Sequence, residues 1–117
     1  MEKNTELTAA LALCKALDKK FGQDIVLLDL REVTPIADYF VLVTGTSAPQ
    51  LAALADETET LLISHGFQLK HREGVRSANW ILLDFGLVVV HLFDKEARDF
   101  YNLDKTWGDA RIVQVDA

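Results

Sequence analysis

The chain has 117 residues, half of them hydrophobic, and a formal net charge of −6. That length suits one domain with a core of its own, and that hydrophobic fraction excludes a disordered chain. No apolar run approaches the ~20 residues that cross a bilayer, and no basic stripe of the kind a direct nucleic-acid binder uses is present.

The start, Met1 to Asn4, is charged. It lacks the apolar core of a secretion signal and the Arg-rich character of an organelle transit peptide. Thr5 to Phe21 reads as an amphipathic helix with Leu7, Leu11, Cys14, Leu17 and Phe21 on one face. Gly22 is the expected C-cap. Cys14 is the lone cysteine, which excludes an internal disulfide and fits a reducing cytoplasm. Ile25 to Leu30 is a buried strand with Asp29 near its end. Pro35 makes Arg31 to Ala37 a loop. Asp38 to Thr44 is a second strand of aromatic and β-branched residues.

Gly45-Thr46-Ser47 then turns the chain into a helix that runs to about His65. Ser47 and Gln50 have capping-box spacing, and Pro49 fits a first turn. Leu51, Leu54, Ala55, Thr58 and Leu62 form the inner face of this helix. Asp56, Glu57 and Glu59 form an acidic outer face. Gly66 ends it, and Phe67 to His71 is a short strand. The polar stretch Arg72 to Asn79 is a loop.

Trp80 to Phe93 is the most strongly patterned segment. Two β-rich runs flank Asp84-Phe85-Gly86, which predicts a hairpin with a short Gly-containing turn. The second run has almost no polar break and belongs in the middle of a sheet covered on both faces. Lys95 to Tyr101 is a short helix. Asp104 to Trp107 has room for one more turn, with Trp107 packing there. Arg111 to Ala117 is a loosely held tail with room for an edge strand. The whole, residues 1–117, is one α/β domain: a mixed five-stranded sheet with helices packed on it.

Several chemistries are weighed by their residue sets. Gly45-Thr46-Ser47 opens a helix after a strand, and helix N-termini bind phosphate. Nucleotidyl transfer also needs carboxylates gathered to hold Mg²⁺. Asp29, Asp38 and Asp84 are isolated, and no Asp-x-Asp pair or Walker-type loop is present. A capped turn is therefore the reading of this stretch. His65, His71 and His91 lack close metal-ligand spacing, and Cys14 lies on an apolar helix face. His91 reads as a partly buried histidine bonded to an aspartate or a backbone carbonyl. Nothing in the sequence gathers Ser47, His91 and Asp84 into a triad. Catalytic, cofactor and metal sites are thus expected to be absent. Trp80 follows a polar loop and begins an alternating strand, and it stays open between core and interface.

The chain resembles the Iojap family of ribosomal silencing factors. The residues that carry the resemblance are Asp24 to Leu30, Ala37-Asp38-Tyr39-Phe40, Thr44-Gly45-Thr46-Ser47, Ala55-Asp56 and Glu73-Gly74. Further along they are Trp80, Leu83-Asp84-Phe85-Gly86, Val89-Val90-His91-Leu92-Phe93, and Arg98 to Leu103 with Trp107. Leu87, Asp104 and Thr106 depart from the pattern. The resemblance implies a nucleotidyltransferase-like fold without the catalytic carboxylates. It also implies a cytoplasmic translational repressor. Such a protein binds the large ribosomal subunit through its fourteenth protein and blocks joining of the small subunit. No sequence-specific nucleic-acid contact and no membrane are implied, and homodimers are expected off the ribosome. The alternative of another class is a nucleotide-binding or nucleotidyl-transfer enzyme of the same fold; a third is a homo-oligomeric adaptor without ribosome contact.

The expected partner-binding residues are Glu73, Gly74, Trp80, Leu82, Asp84 and Phe85. Glu73 supplies a charge for a basic protein, and Trp80 an aromatic anchor. Phe85 is expected at the hairpin tip, where internal burial is hard and a partner is its natural cover.

Overall fold

The computed structural model describes residues 5–74, 79–101, 105, 108, 110–113 and 115. In chain order the elements are α1 (Thr5–Lys19), β1 (Gln23–Asp29), β2 (Tyr39–Gly45), α2 (Ala48–Ser64) and β3 (His71–Glu73). They continue with β4 (Trp80–Asp84), β5 (Val88–Asp94), α3 (Lys95–Tyr101) and β6 (Arg111–Val113). The strands form one six-stranded sheet in the order β3-β4-β5-β2-β1-β6. β2 and β5 are parallel, and the other neighbours are antiparallel.

The sheet has six strands, not the expected five. The added strand comes from the tail, where Arg111, Ile112 and Val113 pair with Asp29, Leu28 and Leu27 of β1. The third strand also moves. Phe67 to His71 was the expected span, but the ladder starts at His71 and runs to Glu73, inside the expected loop. Phe67 and Leu69 instead pack against the core as half-buried residues. Pairing with β4 sets this strand, and apolar alternation does not report that register. Residues 75–78 of the expected loop lie outside the described residues. So does the expected turn at Asp104–Trp107, apart from Lys105, which is helical.

Alternation along the strands sorts the core into two layers. Tyr39, Val41 and Val43 of β2 face α1 and α2, together with Ile81, Leu83, Val88, Val90 and Leu92. Ala9, Ala10, Leu13, Cys14 and Leu17 of α1 meet them, as do Leu51, Leu54, Ala55 and Leu62 of α2. The opposite layer holds Leu28, Phe40, Leu42, Val89 and Phe93, with Ala97 of α3. All seven residues of β2 are buried, as a strand covered on both faces requires. Each fully buried Leu in these layers contributes roughly 1.5–3 kcal/mol.

The inner face of α2 is the expected one. The inner face of α1 is shifted: Leu7 and Leu11 are half-buried, and Phe21 is 79% exposed. α1 ends in a Schellman arrangement, with Gly22 N–H donating to the Leu17 carbonyl and Phe21 N–H to that of Asp18. The residue at positive φ is Phe21 (φ 67), not the expected Gly22. Gly22 is small for another reason: a Cβ there would sit 2.8 Å from Val43 Cγ1.

The turn into α2 is capped by its own side chains. Ser47 Oγ accepts from Gln50 N–H at 3.2 Å, and Gln50 Oε1 accepts from Thr46 N–H at 2.6 Å. Gln50 Nε2 also donates to the Phe21 carbonyl at 3.1 Å, which ties α2 to the end of α1. The glutamine serves Thr46 here, where a regular capping box would serve Ser47.

Candidate functional site

The β3–β4–β5 ladder assembles one surface patch on the side of the sheet away from α1 and α2. Glu73 stands opposite Leu82, and Leu82 stands opposite His91. Trp80 stands opposite Phe93, and Asp84 stands between His71 and Val89. Period-2 alternation therefore puts Glu73, Trp80, Leu82 and Asp84 on one face. A cavity of about 120 Å³ among them is lined by Glu73, Gly74, Trp80 and Leu82.

Trp80 is half-buried, so it belongs to both surface and core. Its ring stacks on Phe93 at a centroid distance of 6.0 Å and lies 5.8 Å from the His91 ring. Its Nε1–H donates to His91 Nδ1 at 3.3 Å. His91 is 4% exposed and packs edge-on against Phe40 at 4.7 Å. Its expected partner was an aspartate or a carbonyl; the partner is the indole instead. Burial pushes the His91 imidazole down to about 4, so it is neutral near pH 7. No hydrogen-bond partner within the described residues reaches its Nε2.

Gly74 positions this patch from beneath. It adopts φ 107, and a Cβ there would lie 2.6 Å from the Trp80 carbonyl oxygen and 2.9 Å from Ile81 Cα. Only glycine permits that approach of two backbones and that φ together. Glu73 is exposed, and His71 Nε2 lies 3.0 Å from its Oε1. Such an exposed pair is worth little and leaves Glu73 available to a stronger cation. Arg72 points to the other face and pairs with Glu59 of α2.

Phe85 does not join this patch. It is 2% exposed and packs in the layer beneath α1 and α2. The turn makes that possible. Asp84 Oδ1 accepts from Gly86 N–H at 2.7 Å, Phe85 N–H donates to the Val88 carbonyl, and Gly86 takes φ 91. This folds the tip so that Phe85 turns inward and Leu87, 44% exposed, stands at the tip. Sequence reasoning did not place Leu87 at the tip, and it read His91 as a buried, hydrogen-bonded histidine without placing it beneath Trp80. The spacing of Trp80 and His91 on a hairpin is the signal for that placement, because it makes them diagonal neighbours.

Asp29 and Asp84 stand on opposite faces of the sheet. Both oxygens of Asp29 accept from the Arg31 side chain, at 3.0 and 2.8 Å. That bonding holds its carboxyl below the usual range. Among the described residues, no three His, Cys, Asp or Glu side chains gather as a metal site would need. Cys14 is buried, and burial pushes its thiol up to about 12. No described helix is long and apolar enough to cross a membrane.

The family model "Ribosomal silencing factor during starvation" matches residues 3–117. The Ribosomal silencing factor RsfS of Bacillus subtilis is 40% identical over 116 residues, covering 99% of this chain and 96% of that protein. The chloroplastic protein Iojap of Zea mays is 30% identical over 93% of this chain and 47% of its own length. A crystal structure of a Chromobacterium violaceum protein superposes with a TM-score of 0.83 at 31% identity, covering 100% of this chain and 92% of that one. A Bacillus halodurans structure superposes with a TM-score of 0.77 at 34% identity, covering 96% and 100%. The chain belongs to the family of ribosomal silencing factors, to which the Iojap proteins are also related.

Proposed function

We propose that this protein represses translation by occupying the large ribosomal subunit. It binds through that subunit's fourteenth protein and sterically blocks joining of the small subunit. Family membership supports a ribosome-associated regulator. The observation that carries the finer reading is the gathering of Glu73, Trp80, Leu82 and Asp84 on one sheet face, with a small cavity lined by Glu73, Gly74, Trp80 and Leu82.

The mechanism is occlusion. An acidic chain approaching a basic ribosomal protein gains electrostatic steering, and a half-exposed indole then supplies the anchor. The rigid backing of Trp80 by Phe93 and His91 means little ordering cost on binding. Gly74 and Phe85 act by holding the strand and the turn in place. The fold is read as nucleotidyltransferase-like without its carboxylate cluster, so no chemical step is assigned. The site of action is the cytoplasm, and a homodimer off the ribosome would compete for the same apolar surface.

The test is co-sedimentation with purified large and small subunits. The protein should pellet with the large subunit alone, and adding it first should reduce the joined ribosome. Equal pelleting with both subunits, or undisturbed joining at saturation, would refute the reading.

A further inference from the structure

Phe21 occupies a position that favours glycine and gains no burial there. It follows the last turn of α1 at φ 67, in the left-handed region, and is 79% exposed. A helix usually places glycine or asparagine at this point, because a bulky side chain is strained in that backbone. The turn itself is fixed. Phe21 N–H donates to the Asp18 carbonyl, and Gln50 Nε2 donates to the Phe21 carbonyl at 3.1 Å and lies 3.4 Å from that of Lys20. A strained residue that buries nothing directs attention to what its exposed ring can touch.

The ring stands beside free cations. Lys15, Lys19 and Lys20 are all exposed. Lys15 and Lys19 share one face of α1, and Lys20 carries the charge on to the turn. Among the described residues, no carboxylate lies within ion-pair distance of any of the three. The acids nearest in sequence turn elsewhere: Asp18 and Asp24 line a cavity with Cys14 and Val115. The patch also lies at the same end of the sheet as Trp80. Trp80 stands opposite Phe93, Phe93 opposite Thr44, and Thr44 opposite Gln23, two residues after Phe21.

We infer that this end of α1 contacts unpaired RNA of the large ribosomal subunit. One base stacks on Phe21, and neighbouring phosphates meet Lys15, Lys19 and Lys20. An aromatic ring among unpaired ammonium groups suits a nucleic-acid strand, because every base has a face to stack and every linkage a charge to neutralise. An acidic peptide would suit the lysines and leave the ring uncovered. Contacts of this kind position a complex without reading sequence. The inference rests on the ribosomal reading and adds an RNA contact to its protein contact.

The test compares binding to purified large subunits with binding to the isolated fourteenth protein. The proteins are the parent, Phe21→Gly, Phe21→Tyr and the double variant Lys19→Ala with Lys20→Ala. Phe21→Gly removes the ring and the strain together. Its Tm should hold or rise, while its affinity for large subunits should fall about fivefold or more, the loss of one stacked base. Phe21→Tyr should keep the parent's affinity. The lysine variant should bind large subunits more weakly and with a flatter salt dependence. None of the three should change affinity for the isolated protein. A photoreactive benzoylphenylalanine in place of Phe21 should cross-link to ribosomal RNA. A parent that binds no large subunit would overturn the ribosomal reading and this inference with it. A parent that binds, with Phe21→Gly and the lysine variant binding equally well, would overturn this inference alone. Equal losses toward the isolated fourteenth protein, or cross-links confined to protein, would overturn it too.

Discussion

The indole Nε1–H of Trp80 donates to Nδ1 of His91 at 3.3 Å, diagonally across the β4–β5 ladder. Nδ1 accepts, so the proton of the neutral imidazole is placed on Nε2. A buried group thereby orients a half-exposed one. The contact works only while His91 stays neutral, because an imidazolium has no acceptor.

That requirement gives a pH dependence with a definite sign. The His91 imidazole is held at about 4 in the folded chain by burial, against 6.5 when unfolded. The unfolded state therefore binds the extra proton first. The neutral buried ring imposes no penalty above pH 6.5, and stability is lost as pH falls from there to about 4. The loss from this one group is on the order of 3 kcal/mol. Urea unfolding of the parent and of His91→Phe across that window measures it. The parent should lose more stability than the variant on acidification, and parallel curves would show that His91 does not titrate this way.

Gly74→Ala should damage the Trp80 strand without touching any charge. The new Cβ would meet the Trp80 carbonyl oxygen at 2.6 Å while the residue is held at φ 107. Strain of this kind costs roughly 1–3 kcal/mol. Thermal melting should show a lowered Tm, and near-ultraviolet circular dichroism should show an altered tryptophan signal. A variant with the parent's Tm and spectrum would mean that β3 and β4 separate freely.

Phe85→Ala and Glu73→Lys should part company. Phe85 is a core ring, and its removal should cost about 3–5 kcal/mol of stability. Glu73 is exposed, and a surface change of this kind stays within about 0.5 kcal/mol. Glu73→Lys should instead weaken attachment to a basic partner and flatten its salt dependence. Chemical denaturation separates the two. A Phe85→Ala protein as stable as the parent would contradict the inward turn of the hairpin tip.

What was legible in the sequence follows from which interactions are local. The inner face of α2 was readable because Leu51, Leu54, Ala55, Thr58 and Leu62 repeat at helical spacing and nothing overrides them. The hairpin was readable because Gly86 sits between two β-rich runs. Phe85 was misread because its direction depends on the Asp84 carboxylate bonding Gly86 N–H, which shapes the turn. β3 and β6 were displaced or uncertain because edge strands are set by their neighbours across the ladder and not by their own three residues. Of the six residues expected to bind a partner, Glu73, Trp80, Leu82 and Asp84 share one face through pairing register. Gly74 joins them from below, and Phe85 does not.

If the face of Glu73, Trp80 and Leu82 holds the ribosomal partner, Trp80 is its anchor. The measurement is the affinity of parent and Trp80→Ala for the isolated fourteenth protein of the large subunit, after circular dichroism has shown the variant folded. Half-burial of Trp80 makes that control necessary, and Trp80→Phe keeps an aromatic ring on Phe93 while removing the indole N–H. Truncation of a central aromatic anchor costs upward of ~2 kcal/mol, so Trp80→Ala should bind roughly thirtyfold more weakly. A folded Trp80→Ala protein that binds with the parent's affinity would contradict the account.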